Sequence, residues 1–321
     1  LAGLLLIVAL VGLAMVDWRK AIIYLWMPAV LAALAAIVLP GTLRPPPRGT
    51  TLIYEGESAY NYIQVVRWGE ANVLRLNEGQ GIHSMYYPDH PRLIETGGTW
   101  DYYLAAPFFN NPPYLPGDVG SMAMVGLAAG TIPKQYTAVF GPIPIDGIEI
   151  DPDIVAVGRK HFDMNEPNLN VIAQDGRYAL FASRERYDVV GVDAYKLPYI
   201  PWNLATVEFF QEVHNHLSER GVVAINVGRT VQDRRLIAAF SATLSQVYPS
   251  VHVIDVPGTC NSILVATVQP TVPENLLANL ALLKPDVHPL LPKVIASAYQ
   301  QIRPTPADGR RFTAEGEPTE M

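Results

Sequence analysis

The stretch Val119–Asp151 constrains the fold more tightly than any other part of this chain. Gly120–Val125 reads as a buried strand, Gly126-Leu127-Ala128-Ala129-Gly130 as a small-residue turn opening a helix, and Ile145–Glu149 as a second strand ending in an acid. A backbone turn built from Gly and Ala lets a nucleoside approach closely, because no long side chain intervenes. An acid at the tip of the following strand is placed to accept hydrogen bonds from two ribose hydroxyls. A nucleoside-binding domain of the doubly wound type is therefore expected.

The residues that follow keep the same rhythm. Further strands are predicted at Leu169–Ile172, Tyr187–Val192, Gly221–Asn226, Val251–Val256 and Ser262–Thr267. Helices fit between them at Thr131–Val139, Ile154–Phe162, Gly176–Ala182, Ala205–Leu217 and Asp233–Val247. Parallel strands joined by helices are buried on both faces, which accounts for the continuous apolar runs. Beyond Lys284 no clear period is visible, and the tail reads as irregular.

Upstream, residues 51–95 alternate in the manner of strands and predict a small antiparallel sheet, closed by a short helix over Trp100–Phe109. Pro40-Gly41 and Pro45-Pro46-Pro47 form a stiff linker before it. Leu1–Val16 and Ala21–Leu39 are almost wholly apolar, separated by Asp17-Trp18-Arg19-Lys20. The second run is long enough to cross a bilayer core of about 30 Å. The first falls slightly short and reads as the end of a longer hydrophobic region. The expectation is a membrane anchor over residues 1–43 with one or two transmembrane helices and the catalytic domain on the cytoplasmic side; a buried hairpin is the alternative. A linker and small β domain would fill 44–116, and the nucleoside-binding domain 117–321.

A net charge of −7 argues against a nucleic-acid binder that works by neutralising phosphates. The single Cys260 excludes an intrachain disulfide and a multi-cysteine metal cluster. His214 and His216 cannot share a helix face, so no metal is expected. His83 and His161 have the chemistry of a base, but the sequence supplies neither with a partner. In an open α/β sheet, ligands sit beyond the carboxyl ends of the strands. That rule selects Gly126 to Thr131, Glu149, Asp175 and Asp193. Asp175 serves equally as a ligand group or as a helix cap.

Three segments carry a more specific resemblance. Glu149-Ile150-Asp151-Pro152, Gln174-Asp175-Gly176-Arg177 and Tyr187-Asp188-Val189-Val190-Gly191-Val192-Asp193-Ala194-Tyr195 are similar to the spermidine/spermine synthase family. Glu57–Val65 resembles that family's Ser-x-Tyr-Gln strand, and Leu74–Gln80 its Leu-x-Leu-Asp-Gly-x-x-Gln strand. Phe312–Glu320 resembles its Thr-Asp-Asp-x-x-Pro-Val-Glu ending. The likeness spans roughly residues 52 to 320, and the branch with fused membrane helices fits it best. It implies an α/β, class I methyltransferase-like (Rossmann-type) doubly wound sheet preceded by a small antiparallel β domain and N-terminal transmembrane helices.

The resemblance further implies an aminopropyltransferase acting on decarboxylated S-adenosylmethionine and an amine or polyamine acceptor. Asp193 would be the catalytic acid/base. Gly126, Ala128, Gly130, Glu149, Asp175, Gly176 and Gln80 would hold the nucleoside co-substrate. Tyr60, Gln64, Asp101 and Tyr195 would face the acceptor, with Tyr62 turned the other way. A homodimer, or pairing with other membrane subunits, is the implied assembly, and membrane lipid the implied surroundings.

The departures are equally specific. Ala128 and Ala129 stand where the family's Gly-Gly-Gly-Asp-Gly turn has a glycine and an acid. Lys196 and aromatic residues replace the second acid of its Asp-x-x-Asp-Pro loop. A methyltransferase using S-adenosylmethionine on a small molecule, and an inactive structural subunit of a membrane complex, therefore stay open as alternatives.

Overall fold

The computed structural model describes residues 2–38, 42–77, 81–194, 200–306, 309 and 311–314. Two compact units result, residues 1–50 and residues 51–321.

In the first unit, the expected transmembrane helices are not found. Three short helices, α1 (Ala2–Val16), α2 (Trp18–Ile23) and α3 (Trp26–Val38), take their place. No helix among the described residues is long and apolar enough to cross a membrane. Two local causes divide the apolar runs. Asp17 adopts an extended backbone with φ of −151° and caps α2, its carboxylate accepting the Lys20 amide. Pro28 has no amide hydrogen, and its ring crowds the carbonyl four residues back, so α2 ends and α3 restarts with Pro28 in its first turn. The expected membrane anchor over residues 1–43 is not supported by these helices.

The second unit opens with a four-stranded antiparallel sheet: β1 (Thr51–Glu57), β2 (Tyr62–Trp68), β3 (Ala71–Leu76) and β4 (Ser84–Tyr86). Alternation divides its faces. Ile63, Val65, Leu74 and Leu76 pack on Ala129, Ile154, Val157 and Phe162 of the following domain. Val66 and Val73 turn to the other side. A 3-10 helix, Thr99–Phe109, then leads into the large sheet.

That sheet comprises β5 (Met122–Val125), β6 (Ile145–Glu149), β7 (Leu169–Ala173), β8 (Tyr187–Val192), β9 (Leu217–Gly228), β10 (Ser250–Asp255), β11 (Asn261–Thr267) and β12 (Ile302–Arg303). Among the described residues the strand order is β12-β10-β11-β9-β8-β5-β6-β7. β5 to β9 are parallel, whereas β11, β10 and β12 pair antiparallel with their neighbours, which makes the sheet mixed. The cause is the connection: five residues, including Gly258 at φ +70°, join β10 to β11, too few for a parallel crossover.

Between these strands run α4 (Thr131–Phe140), α5 (Pro152–His161), α6 (Gly176–Ala182), α7 (Val207–Asn215), α8 (Arg235–Leu244), α9 (Asn275–Leu280) and α10 (Leu290–Gln300). Met122 and Met124 face one helical layer while Ala123 and Val125 face the other. α10 lies in the tail expected to be irregular. Its Leu290, Leu291, Val294, Ile295 and Ala298 are all buried on one side, against the layer that holds Tyr103, Leu104 and Phe108. Each large apolar side chain buried there stabilises by roughly 1.5–3 kcal/mol. Tyr102 Oη and Ser297 Oγ, 2.7 Å apart, fix the two helices further. Packing by α10 thus sets the position of the 3-10 helix, and with it Trp100.

Candidate active site

Strand order reverses between β5 and β8, and the two chain segments leaving these strands part there. Gly126 follows β5 and Asp193 follows β8. A Cβ on Gly126 would stand 2.5 Å from the Asp193 carbonyl oxygen, and Gly126 has φ of +89°, so glycine is required on both counts.

Two adjoining cavities open at this point. The larger, about 340 Å³, is lined by Tyr60, Asn61, Leu76, Glu149, Asp175 and Gly176 among others. The smaller, about 190 Å³, is lined by Ser84, Thr99, Trp100, Thr131, Asn226 and Asn261 among others. His83, Gly126, Ala128 and Asp193 line both.

The larger cavity is held by a chain of hydrogen bonds that starts in the glycine turn. Gly126 and Leu127 both donate to the Ile148 carbonyl at 3.0 Å. Ala128 sits at φ +48°, a left-handed conformation costly for a residue with a Cβ. Its amide donates to Glu149 Oε2 at 2.9 Å, while Glu149 Oε1 accepts the Asp151 amide at 3.1 Å. Burial raises the Glu149 pKa, with the Ala128 and Asp151 amides opposing that rise. Asp151, fully buried, caps α5 through the Asp153 amide and accepts from Ser58 Oγ at 2.6 Å and Asn61 Nδ2 at 2.9 Å. The small sheet and the nucleoside-type turn are thereby fastened to each other. Asp175 does both things open to it: Oδ1 caps α6 by accepting the Tyr178 amide at 3.0 Å, and the residue lines the cavity. Gly176 lets Val125 pass, since a Cβ there would meet Val125 Cγ1 at 2.6 Å.

At the junction, Asp193 Oδ1 accepts from Asn226 Nδ2 at 2.9 Å, and Asn226 Oδ1 accepts from Asn261 Nδ2 at 2.8 Å. Desolvation by the surrounding protein pushes the Asp193 pKa up to about 6, an effect that Asn226 and Trp100 partly offset. His83 is held near 4 by burial and, secondarily, by the Arg75 guanidinium, so its imidazole is neutral. Among the described residues, His83 Nε2 is buried without a hydrogen-bond partner.

Several expected site residues lie elsewhere. Gln64 lines neither cavity; it shares a face of β2 with Tyr62, two residues away, and donates to the Tyr62 hydroxyl at 3.3 Å. Tyr62, expected to turn the other way from Gln64, thus lies on the same side. The residue that reaches the cavity is Asn61, whose place after Ser58-Ala59-Tyr60 matches the last position of Ser-x-Tyr-Gln. Asp101 is buried in a structural clamp, accepting from Thr96, Gly97 and Gln135. Gly130, at φ +85°, makes room for Met164 and lines neither cavity. Gln80, Tyr195, Lys196 and residues 315–320 lie outside the described residues. His83, Asn226 and Asn261 join the site without a role assigned from sequence; Asn226 and Asn261 give no motif signal, each flanking an apolar run near a strand end.

Residues 142–276 match the spermine/spermidine synthase domain. The chain is 35% identical over 221 residues to a "probable polyamine aminopropyl transferase" of Bifidobacterium longum, covering 68% of this chain and 47% of that protein. The chain carries the spermine/spermidine synthase domain. It spans about half the length of the Bifidobacterium relative. In fold it is similar to a probable spermidine synthase of Corynebacterium glutamicum, with TM-score 0.62 and 18% identity, covering 86% of this chain and all of that one. A spermidine synthase in complex with the transition-state analogue AdoDATO aligns with TM-score 0.58 and 16% identity, over 81% of this chain and 93% of that one. Members of this family are transferases, and the methyltransferase-like sheet is common to these structures.

Proposed function

We propose that the chain transfers an aminopropyl group from decarboxylated S-adenosylmethionine to an amine. The observation that carries this reading is the meeting of two cavities at one desolvated carboxylate, Asp193. The larger fits a nucleoside: a Cβ-free approach at Gly126, the Glu149 carboxylate for ribose hydroxyls and Asp175 for the base. The smaller then takes the amine. Tyr60 and Asn61 close the nucleoside side from the small sheet, so residues 51–116 act as a wall for the catalytic residues that follow.

In the reaction the neutral amine nitrogen attacks the propyl carbon beside the sulfonium, the carbon–sulfur bond breaks, and methylthioadenosine leaves as a neutral thioether. The new ammonium gives its surplus proton to Asp193, which passes it to water. A sulfonium is already a good leaving group, so the protein supplies orientation and a proton acceptor rather than leaving-group activation. A carboxylate whose pKa lies near 6 is a stronger base than an exposed one and is still ionised at neutral pH.

Isothermal titration with decarboxylated S-adenosylmethionine, S-adenosylmethionine and methylthioadenosine tests the reading. Tightest binding of the decarboxylated form supports it, preference for S-adenosylmethionine points to methyl transfer, and no binding to any of the three removes both.

A further inference from the structure

We infer that the Ala128 methyl is a specificity-determining wall, which disfavours S-adenosylmethionine and admits its decarboxylated form. This rests on the aminopropyl-transfer reading above and concerns the junction of the two cavities.

The turn from Gly126 to Gly130 holds three residues at positive φ. Two of them, at +89° and +85°, are glycine, whereas the third, at +48°, is Ala128. Glycine adopts this conformation freely, but a Cβ there crowds the backbone. A side chain retained against such strain points to a use for that side chain.

The surroundings supply the use. Ala128 lines both cavities, as do His83, Gly126 and Asp193. Gly126 has no side chain with which to narrow the junction. The Ala128 amide is tied to Glu149 Oε2 at 2.9 Å, and the half-buried residue rests on the apolar cluster that includes Ile63, Leu76 and Ile154. The small sheet and α5 therefore back the methyl, so it cannot retreat from a ligand.

In aminopropyl transfer the carbon under attack lies beside Asp193, at this junction. In S-adenosylmethionine the carboxylate sits on the carbon two bonds further along the same chain, and the decarboxylated form carries hydrogen in its place. The two molecules are thus alike in the nucleoside cavity and differ where Ala128 stands. One methyl in a fixed pocket is worth about 10–200-fold in discrimination. Asp193 repels the same carboxylate, but it does so equally in the parent and in variants at Ala128, so the two effects separate.

Calorimetry on the full chain, with S-adenosylmethionine and its decarboxylated form, tests this in the parent, Ala128→Gly and Ala128→Ser. Glycine suits the backbone at this position, so Ala128→Gly is expected to fold with a Tm no lower than the parent's. Its preference for the decarboxylated form is expected to narrow by at least about tenfold, through tighter binding of S-adenosylmethionine, while the Kd of the decarboxylated form stays within about threefold. Ala128→Ser keeps a side chain of similar bulk and is expected to keep the parent's preference. An unchanged preference in Ala128→Gly overturns the inference, as does an equal narrowing in Ala128→Ser. A parent chain that prefers S-adenosylmethionine, or binds neither molecule, removes the aminopropyl-transfer reading and the inference with it. A parent that prefers the decarboxylated form, with no change in Ala128→Gly, removes the inference alone.

Discussion

Asn226 donates its side-chain amide to Asp193 Oδ1 at 2.9 Å, and its own carbonyl is fixed by the Asn261 amide at 2.8 Å. The relay runs across the ends of β8, β9 and β11, so the orientation of the Asp193 carboxylate is set by strand pairing. Because Asn261 fixes which end of Asn226 faces Asp193, the amide cannot flip without losing two hydrogen bonds. An acid held this way keeps its remaining lone pairs aimed at the place where the two cavities meet.

Asp193→Asn preserves the shape and removes the proton acceptor. Methylthioadenosine release is expected to fall by about 10²–10⁴-fold, the usual contribution of a general base. Nucleoside affinity measured by calorimetry should stay within about threefold, since Glu149 and Asp175 are untouched. Unchanged turnover in this variant would refute the assigned role.

The pH profile carries the same signature. Asp193 must be ionised to accept a proton, so kcat/KM should rise with pH through about 6. The acceptor amine adds a second rise toward its own pKa, roughly 10 for an alkylamine. Replacing Asp193 by Asn should erase the lower limb and spare the upper one.

Stability moves in the opposite direction. Asp193 loses its proton near the ordinary 3.8 in the unfolded chain but only near 6 in the folded one. Between those values the folded state binds more protons, so stability is greatest below the window and falls as pH rises through it, by about 3 kcal/mol in total. Asp193→Asn should therefore gain Tm relative to the parent at pH 8 and much less at pH 4, as thermal unfolding at the two pH values will show.

Much of this geometry is legible in the sequence, and the exceptions have physical causes. Gly126, Glu149, Asp175 and Asp193 stand out because strand-end position is set by period and strand order. Chemical likeness favours Gln64 over Asn61, yet Asn61 holds the matching place beside Ser58 and Tyr60 and reaches the cavity, while Gln64 points away to Tyr62. α10 escapes notice because Pro292 and the surrounding Pro and charged residues obscure a helical period that Leu291, Val294, Ile295 and Ala298 carry. The break before α3 is a proline effect that hydropathy alone does not register. Asn226 and Asn261 meet only through strand pairing across 35 residues, which no local pattern displays.

Glu149→Gln tests the ribose contact. Glutamine keeps one carbonyl oxygen for the Ala128 amide, so the turn should persist, but it loses the charge that strengthens hydrogen bonds to hydroxyls. Nucleoside affinity is expected to drop by about 10–100-fold, from the roughly 1.5–3 kcal/mol of a charge-assisted bond. A calorimetric Kd within threefold of the parent would remove Glu149 from the ribose site.

Gly126→Ala and Gly130→Ala separate the strain of a turn from its effect on the site. Both glycines have positive φ, +89° and +85°, so each alanine carries a backbone penalty of about 1–2 kcal/mol. Their surroundings differ. At Gly126 the new Cβ meets the backbone carbonyl of Asp193 at 2.5 Å, and relief requires moving the strand end that carries the catalytic carboxylate. At Gly130 it meets the Met164 side chain at 2.5 Å, a flexible neighbour outside both cavities. Both variants should lose Tm, but Gly126→Ala should also lose turnover by about 10²-fold, the cost of displacing a reacting group by roughly 1 Å. Equal losses of turnover in the two variants would show that the turn acts through stability alone, and not through the placement of Asp193.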